Sequence, residues 1–311
     1  MYARHKLINT LQSLLLLGGM GALLAAVGWL LGGELFMLWM VVMGVLLVGF
    51  SPRVPPALIM RLHGAHALSP WEAPRLHALS EELARRAALP APPTLYYLPS
   101  AAINAFTVGP REEAAIGVTD GLLRHLTLRE LTGVLAHEIS HVRHNDTWVM
   151  GLADQVMRIT GLLSLIGQLL VVANIPLLLL GEAHIPWLAV LLLVFAPTLS
   201  ALLQLALSRA REFDADLGAV ELTGDPHGLA AALHKLEHQT RGLAAMLRRS
   251  RGDPVPAILR THPATGKRIE RLLAMAPPPP TTWVETGDVP VRMSPRLREL
   301  PRLRRRPWLW P

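Results

Sequence analysis

No cysteine occurs anywhere in the 311 residues. Disulfides and thiolate metal sites are therefore both excluded, and any metal this chain binds must be held through His, Asp or Glu. Charge is scarce as well: Asp, Glu, Lys and Arg make up 17% of the residues, against about 25% in an ordinary soluble domain. With a mean hydropathy of +0.35, that shortage points to a membrane protein. Acidic residues are outnumbered, 23 against 30 basic, giving a formal charge of +7. The basic residues flank apolar runs and form no interleaved patch, so no nucleic-acid partner is expected. Internal repeats and polar breaks within the apolar runs are also missing, which argues against a transporter.

What is present begins with two paired apolar runs. Residues 11–31 and 35–50 are separated only by Gly32, Gly33 and Glu34, and residues 159–180 and 185–205 by Gly181, Glu182, Ala183 and His184. Each pair reads as a helical hairpin, which gives four transmembrane helices, the second being slightly short of the ~20 residues that cross a bilayer core. The first run is too long for a cleaved signal peptide, and a second run follows at once. Arg4, Lys6, Arg53, Arg61, Arg143, Arg209 and Arg211 flank the outer ends of the hairpins, while neither short connection carries Lys or Arg. The positive-inside rule then places both termini and the central polar segment in the cytoplasm.

Between the hairpins, Ser69, Pro70 and Glu72 look like a helix start, and Leu76, Leu79, Leu83 and Ala87 continue with helical spacing. Residues 93–98, 103–108 and 114–118 are strand-like and bounded by Pro, Gly and Asn, predicting a small sheet. Thr127 followed by Glu130 is a capping box that opens another helix. After the second hairpin, residues 209–222 and 226–247 read as helices broken at Gly224 and Asp225. The expected fold class is mainly α with a small β-sheet, an α+β domain on four transmembrane helices. Its expected organisation is a cytoplasmic N-terminus (1–10), a first transmembrane hairpin (11–50), a first part of the catalytic domain (51–147), an interfacial helix and second hairpin (148–205), a second part (206–275) and a Pro/Arg-rich tail (276–311).

The helix that Thr127 opens carries His137, Glu138 and His141, an H-E-x-x-H pattern. Four residues make about 1.1 helical turns, so both imidazoles project from one face and can share one ion. Glu138 lies beside them, placed as a general base that takes a proton from water and returns it to a leaving amine. Catalytic zinc needs three protein ligands, and a His₂Glu set is one standard solution. Glu212 is the candidate third ligand, and Asp216, four residues on and on the same helix face, can accept the second N–H of a ligating histidine. One zinc per chain is the expected cofactor. His141 precedes the second hairpin and Glu212 follows it, so both halves of the site emerge on one side of the bilayer.

These stretches carry a family resemblance. The chain resembles the HtpX-type integral-membrane metalloproteases, relatives of the CaaX prenyl protease within the gluzincins, over nearly its whole length to about Met275. The matching stretches are Asn104-Ala105-Phe106, residues 118–123, 135–146 and 208–216, and Thr261-His262-Pro263 followed by Arg268-Ile269. The resemblance implies a zinc endopeptidase that hydrolyses peptide bonds of misfolded or damaged membrane proteins in quality control, multi-pass in the cell inner membrane, with a cytoplasmic active site. The tail after Pro277 has no counterpart in it.

Other residues fit two roles each. Asn104 suits a sheet-edge contact to an extended substrate strand or a turn. His262 suits an approach to the metal or to the developing oxyanion, as the Thr-His-Pro match implies, or a structural place at a helix entrance. His144 lies too far along the helix to join the same tetrahedron. The tail, with Arg296, Arg298, Arg302, Arg304, Arg305 and Arg306 before Trp308 and Trp310, suits either an anionic lipid surface or a solvated end. Two rival functions bear on the same motif. A site-two-type intramembrane protease would hold its H-E-x-x-H inside an apolar span, whereas Arg129, Glu130, Arg143, His144, Asn145 and Asp146 surround this one. A metal-holding membrane chaperone or scaffold would have no use for Glu138.

Overall fold

The computed structural model describes residues 2–49, 54–180, 187–249 and 265–274. His262 and the tail 276–311 lie outside them. The chain divides into two compact units, residues 1–53 with 148–211 and residues 54–147 with 212–311.

The first unit is helical. Its stretches are α1 (Tyr2–Gly49), α6 (Asp146–Ala173), α7 (Ile175–Leu179) and α8 (Trp187–Thr223), the last of which continues into the second unit. Among the described residues, three helices are long and apolar enough to cross a membrane, at Leu7–Met43, Asp146–Ala173 and Trp187–Thr223, where the sequence pattern counts four. The difference lies in α1, which is broken at Gly32 and Gly33, the latter with φ +72°. A Cβ on Gly28 would lie 3.4 Å from the Met37 Cα, whereas residues nine apart in one straight helix are about 13 Å apart. The chain therefore doubles back within this stretch, as the short connection predicts. Leu23, Leu24 and Val27 of α1 pack with Leu163 of α6 and with Leu193 and Ala196 of α8, and Met20, Ala153 and Leu207 form a second cluster.

Pro197 lies inside α8. Having no N–H, it leaves the carbonyl four residues earlier, that of Leu193, without its helical donor. Two side chains of α6 supply replacements: Ser164 Oγ and Gln168 Nε2 both donate to Leu193 O, the latter at 3.1 Å. In hydrocarbon such a group has no water to turn to, which is why a neighbouring helix answers it.

The second unit is built on a four-stranded sheet of β1 (His66–Ala67), β2 (Thr94–Leu98), β3 (Ala105–Val108) and β4 (Ala115–Thr119), in the order β1-β2-β4-β3. β2 and β4 run parallel, with Thr94 opposite Ala115, and β3 returns antiparallel on β4, with Ala105 opposite Val118. β3 is thus an edge strand. The helices are α2 (Pro56–Leu62), α3 (Pro74–Arg86), α4 (Asp120–His125), α5 (Leu128–Arg143), the end of α8, α9 (Pro226–Arg249) and α10 (Thr265–Leu273). The helix expected from Ser69 begins later, at Pro74. Ser69 N and Oγ both donate to Glu72 Oε2, at 2.8 and 2.7 Å, closing a separate turn, and Ala73 at φ −141° is still outside the helix.

α5 is the centre of this unit, with Leu131, Leu135 and Ile139 fully buried. Its Thr127–Glu130 capping box is present, and Glu130 also pairs with Lys235 of α9 at 2.7 Å. Glycine permits two close approaches. A Cβ on Gly133 would sit 2.8 Å from the Leu229 backbone of α9, and one on Gly218 of α8 would collide with the Ser140 side chain. The second approach brings α8 against the face of α5 that carries Ser140 and His144.

Candidate metal centre

α5 presents His137 and His141 one turn apart, with His137 buried and His141 half-buried. Their Nε2 atoms are 3.1 Å apart. Glu212, buried on α8, reaches both, with Oε2 3.5 Å from His137 Nε2 and Oε1 3.7 Å from His141 Nε2. Donor atoms of the three residues all lie within 4.8 Å of one another, the one such group among the described residues. Two neutral imidazoles and a carboxylate are the donor set that suits a borderline divalent ion.

Each imidazole is oriented from behind. Asp216 Oδ1 is 3.1 Å from His137 Nδ1, and Asp146 Oδ2 is 2.7 Å from His141 Nδ1. With Nδ1–H donating to a carboxylate, each Nε2 keeps its lone pair for a metal. Asp146 comes within reach because Asn145, at φ +54°, ends α5 in the left-handed region and turns the chain back towards His141.

Arg268 of α10 closes the site from the other side. Its Nε and Nη2 donate to Asp216 Oδ2 and Oδ1 at 2.8 and 2.7 Å, and its Nη1 pairs with Glu212 Oε2 at 2.7 Å. The guanidinium is almost wholly buried, 3% exposed, and without these two carboxylates its burial would be prohibitive. Burial alone would raise the Asp216 carboxyl, yet Arg268 and His137 outweigh it and hold it down at about 2. His137 is pushed down by burial and by Arg268 and pulled up by Asp216 and Glu212, and the carboxylates prevail, placing it at about 9. The same pairings raise Arg268 above its ordinary range against the opposing effect of burial.

Glu138 is buried next to His137 and accepts a 2.7 Å hydrogen bond from Thr107 Oγ1 on β3. The edge strand and the carboxylate beside the metal site are thereby joined. Asn104, just before β3, is buried. Its N–H donates to Thr119 Oγ1 at 3.0 Å and its carbonyl accepts from Thr119 N at 3.1 Å, while its side-chain Nδ2 has no partner among the described residues. His144 caps the end of α5 and lies against Ser140.

The structure thus brings His137, Glu138, His141, Glu212 and Asp216 together, and adds Thr107, Asp146 and Arg268, to which the sequence reading assigned no role. Asp146 alone left a local signal, five residues after His141.

A model of peptidase family M48 matches residues 70–276. A protease HtpX homolog of Methylibium petroleiphilum is 31% identical over 290 residues, covering 87% of this chain and 99% of its own length. That of Ralstonia pickettii is 30% identical, covering 91% and 100%. Among solved structures, S. mikatae Ste24p has a TM-score of 0.48 at 20% identity, covering 87% of this chain and 67% of that one.

Proposed function

The chain belongs to peptidase family M48 as a membrane metalloprotease, and from that premise we propose that it is a zinc-dependent endopeptidase cleaving misfolded or damaged membrane proteins. The observation that carries this reading is the convergence of His137, His141 and Glu212, with Glu138 alongside. These three residues would hold the ion, and zinc bound there would supply Lewis acidity towards water and the scissile carbonyl.

Glu138 takes a proton from the attacking water and passes it to the leaving amine. Thr107 restrains that carboxylate through its hydroxyl. Asp216 and Asp146 accept Nδ1–H from the two imidazoles and so hold each ring in the tautomer that would leave Nε2 free for an ion. A substrate strand adds to the β3 edge in extended form, with Asn104 at its start, and His262 steadies the oxyanion. The catalytic domain is split between residues 51–147 and 206–275 by the second hairpin. The Lys/Arg asymmetry puts it and both termini in the cytoplasm, which reporter fusions at Gly121 and Met275 test; outer-side signals would reverse the assignment.

Two isosteric substitutions separate this reading from a metal-holding scaffold. Glu138→Gln keeps all three ligands, so zinc should remain near one equivalent while casein digestion falls by about 10²- to 10⁴-fold. In Glu212→Gln an anionic ligand becomes a weaker neutral one, and zinc and proteolysis should fall together. Substantial activity in zinc-replete Glu138→Gln would remove that residue from its role. Full zinc and normal activity in Glu212→Gln would do the same for the third ligand.

A further inference from the structure

α2 is two-faced in an unusual way. One face is locked into the second unit: Met60 is fully buried in a cluster with Ala65, Tyr96, Leu98, Phe106 and Ala115, and Pro56 packs so closely on Gly109 that a Cβ there would meet it at 2.5 Å. The opposite face is also apolar but exposed. Leu58 and Leu62, one turn apart, are 48% and 66% exposed, and Val54 just before the helix is 49% exposed. Arg61 lies between them on the same face and is exposed. Among the described residues of this unit, the other large exposed apolar side chains are Trp71 and Leu273. Two of the five are therefore on one seven-residue helix, and a third, Val54, lies two residues before it. Aliphatic side chains presented outward by a rigid element are a surface awaiting a partner, not scatter.

The chain itself says which partner. Pro56 follows Gly49, the end of the first apolar helical stretch, by 7 residues. At about 3.6 Å per residue α2 cannot start more than ~25 Å from that end. Arg53 in the connection and Arg61 on the helix supply positive charge beside the aliphatic groups, the composition of a helix lying in the headgroup boundary. We propose that α2 is an in-plane interfacial helix, with Val54, Leu58 and Leu62 seated at the acyl boundary of the membrane that α1 enters and Arg61 among anionic headgroups.

The absence of cysteine makes the test direct, because each single-cysteine variant of the full chain has one labelling site. Nitroxide labels at Leu58→Cys and Leu62→Cys, with Glu81→Cys on exposed α3 surface as the water control, are read in proteoliposomes of mixed neutral and anionic lipid. Collision with oxygen and with a water-soluble nickel chelate is measured for each, with zinc content confirming folding. The proposal expects positions 58 and 62 to be rich in oxygen collisions and poor in nickel collisions, and position 81 the reverse. Nickel access at 58 and 62 equal to that at 81 would show a water-facing helix and overturn it. Shielding from both reagents would show burial against protein, whether substrate or a second copy, and would overturn it too. Ala57→Cys and Arg61→Cys, on the same exposed side, give a second pair of readings should either leucine variant lose its zinc.

Discussion

At the scale of single residues, the site is an arrangement of carboxylates that hold imidazoles and are themselves held by one arginine. His137 illustrates what this costs a metal. Without an ion, Asp216 and Glu212 keep its pKa at about 9, above the ordinary value near 6.5, despite burial and Arg268. The raised value means that the pairing stabilises the metal-free fold fully below about pH 6.5 and that this contribution is lost as pH rises through 9. A metal ion needs the neutral ring, so its binding would have to expel that proton. Binding to metal-free protein at pH 7.5 should therefore release a proton from His137. Apparent affinity should rise by about tenfold per pH unit until it levels near pH 9. Titration calorimetry in buffers of different ionisation enthalpy measures the release, and a pH-independent affinity between 6 and 9 would contradict it.

At the scale of elements, helices here are matched to their neighbours by single atoms. Gly133 and Gly218 let α9 and α8 approach α5, and both approaches pass through backbone or Cβ positions that leave no room for alanine. The Leu193 carbonyl is the clearest case in the helical unit. Replacing Ser164 with Ala and Gln168 with Leu leaves it without the donors that answer Pro197, at a cost on the order of 1 kcal/mol. Adding Pro197→Ala restores an N–H within α8 and should recover most of that loss. Thermal unfolding in detergent across the three variants reads the cycle. If the proline replacement rescues nothing, the two side chains act by packing rather than by satisfying Leu193.

At the scale of the whole chain, what the sequence disclosed follows the range over which its signals act. The H-E-x-x-H face was legible because helical periodicity fixes residues four apart, and the α5 start because a capping box is local. β2, β3 and β4 were legible from short β-rich runs, but β1, two residues long, gives no pattern. Glu212 and Asp216 were legible because charge is conspicuous beside an apolar run. Arg268 was not given a role, since it lies 52 residues from Asp216 and 131 from His137, and only the packing of α10 brings it back. Truncating the chain after residue 275 keeps Arg268 and should leave zinc retention intact. Truncation after residue 249 strands Glu212 and Asp216 without their cation, a loss of about 3–5 kcal/mol for a broken buried pair. Zinc analysis and limited digestion of both products distinguish the two. The separation of 131 residues between His137 and Arg268 also sets a clock. At translation rates of about 5–20 residues per second, on the order of ten seconds pass between the synthesis of the first histidine and that of the arginine. During that interval α6 and α8 emerge from the ribosome, so the assembled centre is unavailable to the nascent chain until its apolar helices have been made, and a ribosome stalled before Arg268 carries an unfinished protease.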